Sequence, residues 1–152
     1  MSDQEIFKFI PINDGASFEV SRGCQKSNDV IGALVIPASH DGKPVTRIAN
    51  KGFFMCQNLT GVTIPESIET IGEQAFASCG ALADITISNG VKKIEKTAFM
   101  YCHELKAIVI PDSVTNIDTS AFAKCENLAD VTLPENVKLG EGVFLDCKFK
   151  KK

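Results

Sequence analysis

A 23-residue period constrains this chain more than any other feature of its sequence. Phe53, Phe76, Phe99, Phe122 and Phe144 are spaced 23, 23, 23 and 22 residues apart, and Cys56, Cys79, Cys102, Cys125 and Cys147 each follow three residues behind. Leu59, Leu82, Leu105 and Leu128 keep step, as do the pairs Val62/Ile64, Ile85/Ile87, Ile108/Ile110 and Val131/Leu133. Ile68, Val91, Val114 and Val137 come next, then Ile71, Ile94 and Ile117. The last unit is one residue short between Val137 and Leu139, and a longer first unit opens at "ALVIP" (33–37) and reaches Val45 and Ile48 across a five-residue insertion.

A unit of this length cannot bury its apolar side alone, so each must stack on a neighbour, which is solenoid geometry. The alternation in L-x-x-V-x-I-P is that of a strand with one buried face. Pro37, Pro65, Pro111 and Pro134 end it, with Ser88 the exception, because proline cannot donate to a ladder. Five strands about 4.8 Å apart would form a parallel sheet about 20 Å long. The I-x-x-I pair opposite has room for a bridge or two, a narrow second sheet. The segment E-x-A-F-x-x-C suits one helical or 3-10 turn. Residues 1–32 lie outside the period, with "IFKFIPI" (6–12) and "SFEV" (17–20) reading as strands of an N-terminal capping segment. The domain reading is thus a cap over 1–32, a solenoid of about five coils over 33–147, and a basic tail over 148–152.

The pattern L-x-x-V-x-I-P-x-x-V-x-x-I-x-x-x-A-F-x-x-C-x-x-L, with its longer "IPASHDGKPVTRIANKGF" first coil, resembles the BspA-type leucine-rich repeat over residues 33–147. The resemblance implies a right-handed, mostly β leucine-rich-repeat solenoid, with a parallel sheet, short bridge strands opposite it and short helical or 3-10 turns. It also implies a protein-binding, adhesin-like module that is secreted or displayed on the cell surface. The N-terminus, "MSDQEIFKFIPIND", has no basic stretch before an apolar core of signal-peptide length.

Six cysteines would allow fifteen disulfide pairings, yet their ladder spacing argues for free thiols. Side chains at equivalent positions of stacked coils run parallel, which leaves Cβ atoms about 5 Å apart where a disulfide needs about 3.8 Å. The ladder cysteines are therefore read as structural, and Cys24, off the ladder, as the one thiol open to reaction. The phenylalanines at the same rise stack into an apolar spine, and no cofactor is expected. Phe122→Ala should cost roughly 3–5 kcal/mol, measured as a fall in unfolding free energy.

No chemistry announces itself. There is no C-x-x-C or H-x-x-x-H pair for zinc, and His40 and His103 lie far apart. No phosphate-binding loop appears, and "GEGVF" (140–144) lacks the spacing of one. Asp84 and Asp130 fall two coils apart, about 9–10 Å by rise, a separation that inverting glycosidases use, but nothing in the pattern desolvates either, so an enzyme is not expected. Acids and bases are interspersed at a net charge of −3, which argues against nucleic acid. The Lys148–Lys152 tail reads as solvated, and no apolar run is long enough to insert in a membrane.

What remains is the open sheet face. Strand alternation turns outward the column Val35, Thr63, Thr86, Val109, Thr132 and, beside it, Ala33, Gly61, Asp84, Ala107, Asp130. The candidate partner-binding residues are Val35, Thr63, Thr86, Val109, Thr132, Asp84 and Asp130, for a protein or peptide partner. A Thr column of this kind also occurs in ice-binding solenoids, but Val109 interrupts it. The turns after each Phe offer a second patch in Phe54, Met55, Met100, Tyr101 and Leu145. An alternative role is a structural spacer that forms homo-oligomers through strand edges left unpaired at the C-terminal end.

Overall fold

A computed structural model of the protein describes residues 6–151. The first five residues of the expected cap and the last of the expected tail lie outside them. The described residues form thirteen strands. The cap region holds β1 (Phe7–Ile12) and β2 (Ser17–Arg22), and the first coil holds β3 (Gly32–Val35), β4 (Ser39–His40) and β5 (Lys43–Ile48). The coils that follow hold β6 (Leu59–Ile64) and β7 (Thr70–Ile71), β8 (Asp84–Ile87) and β9 (Lys93–Ile94), β10 (Ala107–Val109) and β11 (Asn116–Ile117), and β12 (Asp130–Thr132) and β13 (Lys138–Leu139). This is a β-solenoid with almost no helix.

The interior is the set of columns read from the period. Phe53, Phe76, Phe99 and Phe122 are fully buried, and their rings stack at centroid distances of 5.3, 5.3 and 5.1 Å with planes within 7° of parallel. Phe144 continues the spine at 5.8 Å and is half-buried, with Phe149 set edge-on against it at 4.9 Å. At the other end Phe7 meets Phe53 edge-on, and β2 pairs in parallel with β5, so the β1–β2 hairpin lies over the first coil. The short last unit keeps its register because Leu139 takes the place of Ile117, with Asn116 opposite Lys138.

Two expectations about the elements change. The sheet of long strands is not one sheet of five: β3, β6 and β8 form a three-stranded sheet, β10 and β12 a separate pair, and β8 and β10 are unpaired. The narrow opposite side is the continuous one, running β1-β2-β5-β7-β9-β11-β13. Strand β8 is also the one that ends in Ser88 instead of proline. The turn that closes behind it is the longest of its kind, with Val91 N–H to Ser88 C=O at 3.5 Å against 3.2 Å at Pro65 and 3.1 Å at Pro111. Without a ring to fix φ, the strand end is held less firmly.

The segment around each Phe is not a helix either. Its N–H groups alternate in direction. Gly52, Phe54 and Cys56 close turns onto the residue three back, whereas Lys51, Phe53 and Met55 donate to Glu73, Ala75 and Ala77 of the next coil at 2.8–2.9 Å. The alternation needs left-handed backbone, and Lys51, Gln74, Thr97 and Ser120 (φ 55–57°) and Met55, Ser78, Tyr101 and Lys124 (φ 58–63°) supply it without glycine. Each such residue costs about 1–2 kcal/mol, which the axial hydrogen bonds offset because the same N–H groups would otherwise be unpaired.

The insertion in the first coil is a β-hairpin. β4 pairs antiparallel with β5 across Asp41 and Gly42, both at positive φ, as a two-residue Asp-Gly turn requires. It lays His40 flat on Phe9, centroids 4.0 Å apart and planes 9° from parallel, and edge-on to Phe18 at 5.0 Å. The insertion thereby joins the first coil to the cap hairpin.

Candidate functional site on the open face

Every ladder cysteine is buried and none is in a disulfide. Each thiol from the second coil on donates to the Phe carbonyl of the coil before: Cys79 to Phe53 at 3.1 Å, Cys102 to Phe76 at 3.4 Å, Cys125 to Phe99 at 3.1 Å and Cys147 to Phe122 at 3.1 Å. The column therefore needs a group small and apolar enough for the core that still carries a proton to give. Burial pushes the thiols of Cys56 and Cys79 up to about 12. The adjoining Cys102 thiol, with burial, raises Cys125, and the adjoining Cys125 thiol, with burial, raises Cys147. Protonated thiols of this kind are poor nucleophiles and poor metal ligands. Among the described residues no three His, Cys, Asp or Glu side chains gather as a metal cluster. Cys24 is half-buried, its thiol directed at the Lys26 carbonyl at 3.4 Å.

On the face formed by β3, β6, β8, β10 and β12, Val35 and Val109 are 69% and 64% exposed, large apolar groups in open water. Thr86, Thr132, Asp84 and Asp130 are exposed as well, while Thr63 is only half so. Gly61, expected among the outward residues, is buried, because Ala33 and Asp84 close over it from both sides.

The break between β8 and β10 falls in the middle of this face. It opens a cleft of about 390 Å³ lined by Ile85, Thr86, Ile87, Ala107, Ile108 and Val109. A second recess of about 320 Å³ adjoins it at Thr86 and Ala107 and is walled by Asp84, Glu104 and Lys106. Ile85 occupies a core position yet is half-buried, as is Val131 in the last coil, where Leu34, Val62 and Ile108 are 8%, 3% and 3% exposed. The structure thus brings Asp84, Thr86 and Val109 together around one opening and leaves Val35 and Thr132 at the two ends of the face. The period could not foretell the opening, since Thr86 and Val109 look like their equivalents in paired coils. The break in the proline column at Ser88 was its one signal.

The turn patch does not assemble into a single surface. Met55, Tyr101 and Leu145 are 44%, 40% and 54% exposed, but Phe54 and Met100 are half-buried and the intervening coils present Ala77 and Ala123, which are buried. Charge is divided between the two sides of the solenoid. On the continuous sheet Arg47 reaches Glu95 at 2.5 Å and Glu19 at 3.6 Å, Lys93 reaches Asp118 at 3.5 Å and Lys92 reaches Glu69 at 3.9 Å.

With these columns and faces in view, the relatives are informative. The family model for the BspA type leucine-rich repeat region matches residues 33–151 in six copies. The chain belongs to this family. Among solved structures, a leucine-rich repeat protein from Bacteroides capillosus is 30% identical over 84% of this chain and 94% of its own, with a TM-score of 0.70. The leucine-rich repeat protein of Treponema pallidum is 25% identical over 99% of this chain and 91% of its own, with a TM-score of 0.66. A leucine-rich cell surface protein from Faecalibacterium prausnitzii is 27% identical over 98% of this chain, with a TM-score of 0.69, and this chain spans 46% of its length. No curated protein matches the sequence. No helix among the described residues is long and apolar enough to cross a membrane.

Proposed function

We propose that this BspA-type repeat chain is a non-catalytic protein-interaction module that docks a protein or peptide segment on the open face. The observation that carries this reading is the cleft between β8 and β10, an apolar opening into the core at the centre of an exposed face rimmed by carboxylates. Concave apolar sites with a few polar groups at the edge are where proteins take ligands, and solenoids use such extended faces for partners. The likeness to a cell surface protein supports a place at or outside the cell surface.

The test is capture from extracts of the source organism and of its surroundings, run with wild type and with Thr86→Arg/Val109→Arg. Both positions are exposed, so the variant folds and blocks the cleft with two long cations. A partner held by wild type and lost by the variant supports the reading. Equal capture by both overturns it.

The second reading is self-association through the last coil. It is favoured by Val131, Leu133, Leu139 and Phe144, which are only partly buried there. Against it, among the described residues the N–H groups of Gly142, Phe144 and Asp146 find no acceptor on that end. Two such ends meeting about a twofold axis would set donors against donors. Sedimentation decides this: an apparent mass that rises with concentration favours self-association, and a constant monomer mass removes it.

A further inference from the structure

Six carboxylates without ion-pair partners among the described residues border the open face. Glu66, Asp112 and Glu135 follow the strand ends, Asp84 and Asp130 open β8 and β12, and Glu104 precedes β10 by three residues; all six are exposed. Among the described residues none of the six has a basic group within 4.0 Å, although carboxylates on the opposite sheet are paired to Arg47, Lys92 and Lys93. Lys106 stands beside Asp84 and Glu104 at the central recess, and the tail with Lys148 and Lys150 enters at the C-terminal end of the face, where the Phe149 N–H donates to the Leu128 carbonyl at 2.8 Å. Around the centre of the face the carboxylates thus outnumber the one ammonium of Lys106, in a chain whose net charge is −3. Between the two rows runs the column Val35, Thr63, Thr86, Val109, Thr132, and near its middle lies the apolar cleft. Like charges lined up without partners repel one another, and an incoming cation relieves that repulsion as it binds.

We propose that the open face receives an extended cationic segment of a partner protein, laid along the solenoid axis with basic side chains over the two carboxylate rows and one apolar side chain seated between β8 and β10. The inference rests on the docking reading above and names the chemistry of its partner. Dimensions agree. The five rungs span about 19 Å, the length of about six extended residues. On the last coil Asp130 and Glu135 stand five residues apart, at most about 17 Å if fully extended, a gap that lysine or arginine side chains reaching both ways from a central segment can bridge. The cleft is large enough for a leucine-sized group, and its Ile85 and Ile108 walls are apolar. Charge complementarity brings the segment in quickly, and the buried side chain slows its release.

The experiment is an amide NMR titration of the full chain with the peptide acetyl-(Lys)3-Leu-(Lys)3-amide. Its controls are the same peptide with Glu for Lys, with Ser for Lys, and with Gly for Leu. The lysine peptide should move the amides of 84–87 and 107–109, weaken as salt is raised, and lose at least threefold in affinity when Leu becomes Gly. Asp84→Lys/Asp130→Lys should weaken it at least tenfold, while Glu73→Lys/Glu141→Lys, an equal charge change away from the face, should leave it within twofold. Equal weakening by both variants, or equal binding of the Lys and Glu peptides, overturns the proposal. Binding of the Ser peptide to the same amides, unaffected by Asp84→Lys/Asp130→Lys, keeps the docking face and overturns its cationic partner. Shifts confined to 92–95 and 115–118 overturn both. Calcium chloride alone moving Asp84 and Asp130 and displacing the peptide makes the rows a divalent-cation site and also overturns the proposal.

Discussion

At the scale of single residues, the recurrent cysteine is a hydrogen-bond donor as much as a space filler. The 23-residue spacing was enough to separate a ladder of thiols from a disulfide framework, because stacked side chains run parallel. The Sγ–H to carbonyl bonds at 3.1–3.4 Å were not legible in it, since they depend on the carbonyl direction within a left-handed turn. Two consequences are measurable. On the native protein at neutral pH, a maleimide should add once, at Cys24, and on the unfolded chain six times; a second rapid adduct on the native form would contradict the buried ladder. Burial also lifts Cys56 and Cys79 from 9.0 to about 12. The folded state then keeps protons that the unfolded state gives up, so their contribution is intact below about 9 and is lost as pH rises towards 12. The urea midpoint of wild type should accordingly fall more steeply between pH 8 and pH 10.5 than that of Cys79→Ala, and parallel slopes would count against the shift.

Elements show where pattern reading stops. Strands β1 and β2, the long strands and the two-residue strands opposite all lie where alternation and proline placed them, because those signals act within one coil. Which strands pair is decided between coils, by how closely two backbones approach, and the outward residues 86 and 109 carry no mark of it. The turns around each Phe escaped for a related reason: residues such as Lys51, Gln74 and Thr97 do not look left-handed, and only axial hydrogen bonding holds them so. The Asp41-Gly42 hairpin inside the insertion went unread, although an Asp-Gly pair is the residue choice such a two-residue turn calls for. Close approach also predicts unequal glycines. A Cβ on Gly90 would come 2.0 Å from the Glu66 carbonyl oxygen, whereas on Gly80 the nearest atom is His103 Cδ2 at 3.9 Å. Gly90→Ala should lower the unfolding free energy by about 1–3 kcal/mol or more and Gly80→Ala by less than about 0.5 kcal/mol. Similar urea midpoints for the two would mean that the coils stack less tightly at Glu66.

For the molecule as a whole, the solenoid separates holding together from binding. The Phe stack, the thiol donors, the axial turn bonds and the continuous sheet run unbroken from coil to coil, while the opposite face is split, acidic and partly apolar. Fold and family could be read from the repeated columns because each is sampled four or five times. The face could be read only as a set of outward positions, since Thr86 and Val109 resemble their counterparts in the other coils and gain meaning, with Asp84, once the break between β8 and β10 gathers them around one cleft. Native-state hydrogen exchange on segments 82–88 and 105–111, free and with the captured partner bound, tests this division most directly. The account predicts that both segments exchange faster than 92–95 and 115–118 in the free protein and become protected in the complex, with the opposite sheet unchanged. Protection that appears on 92–95 and 115–118 instead, or segments 82–88 and 105–111 as slow in the free chain as the continuous sheet, would contradict it.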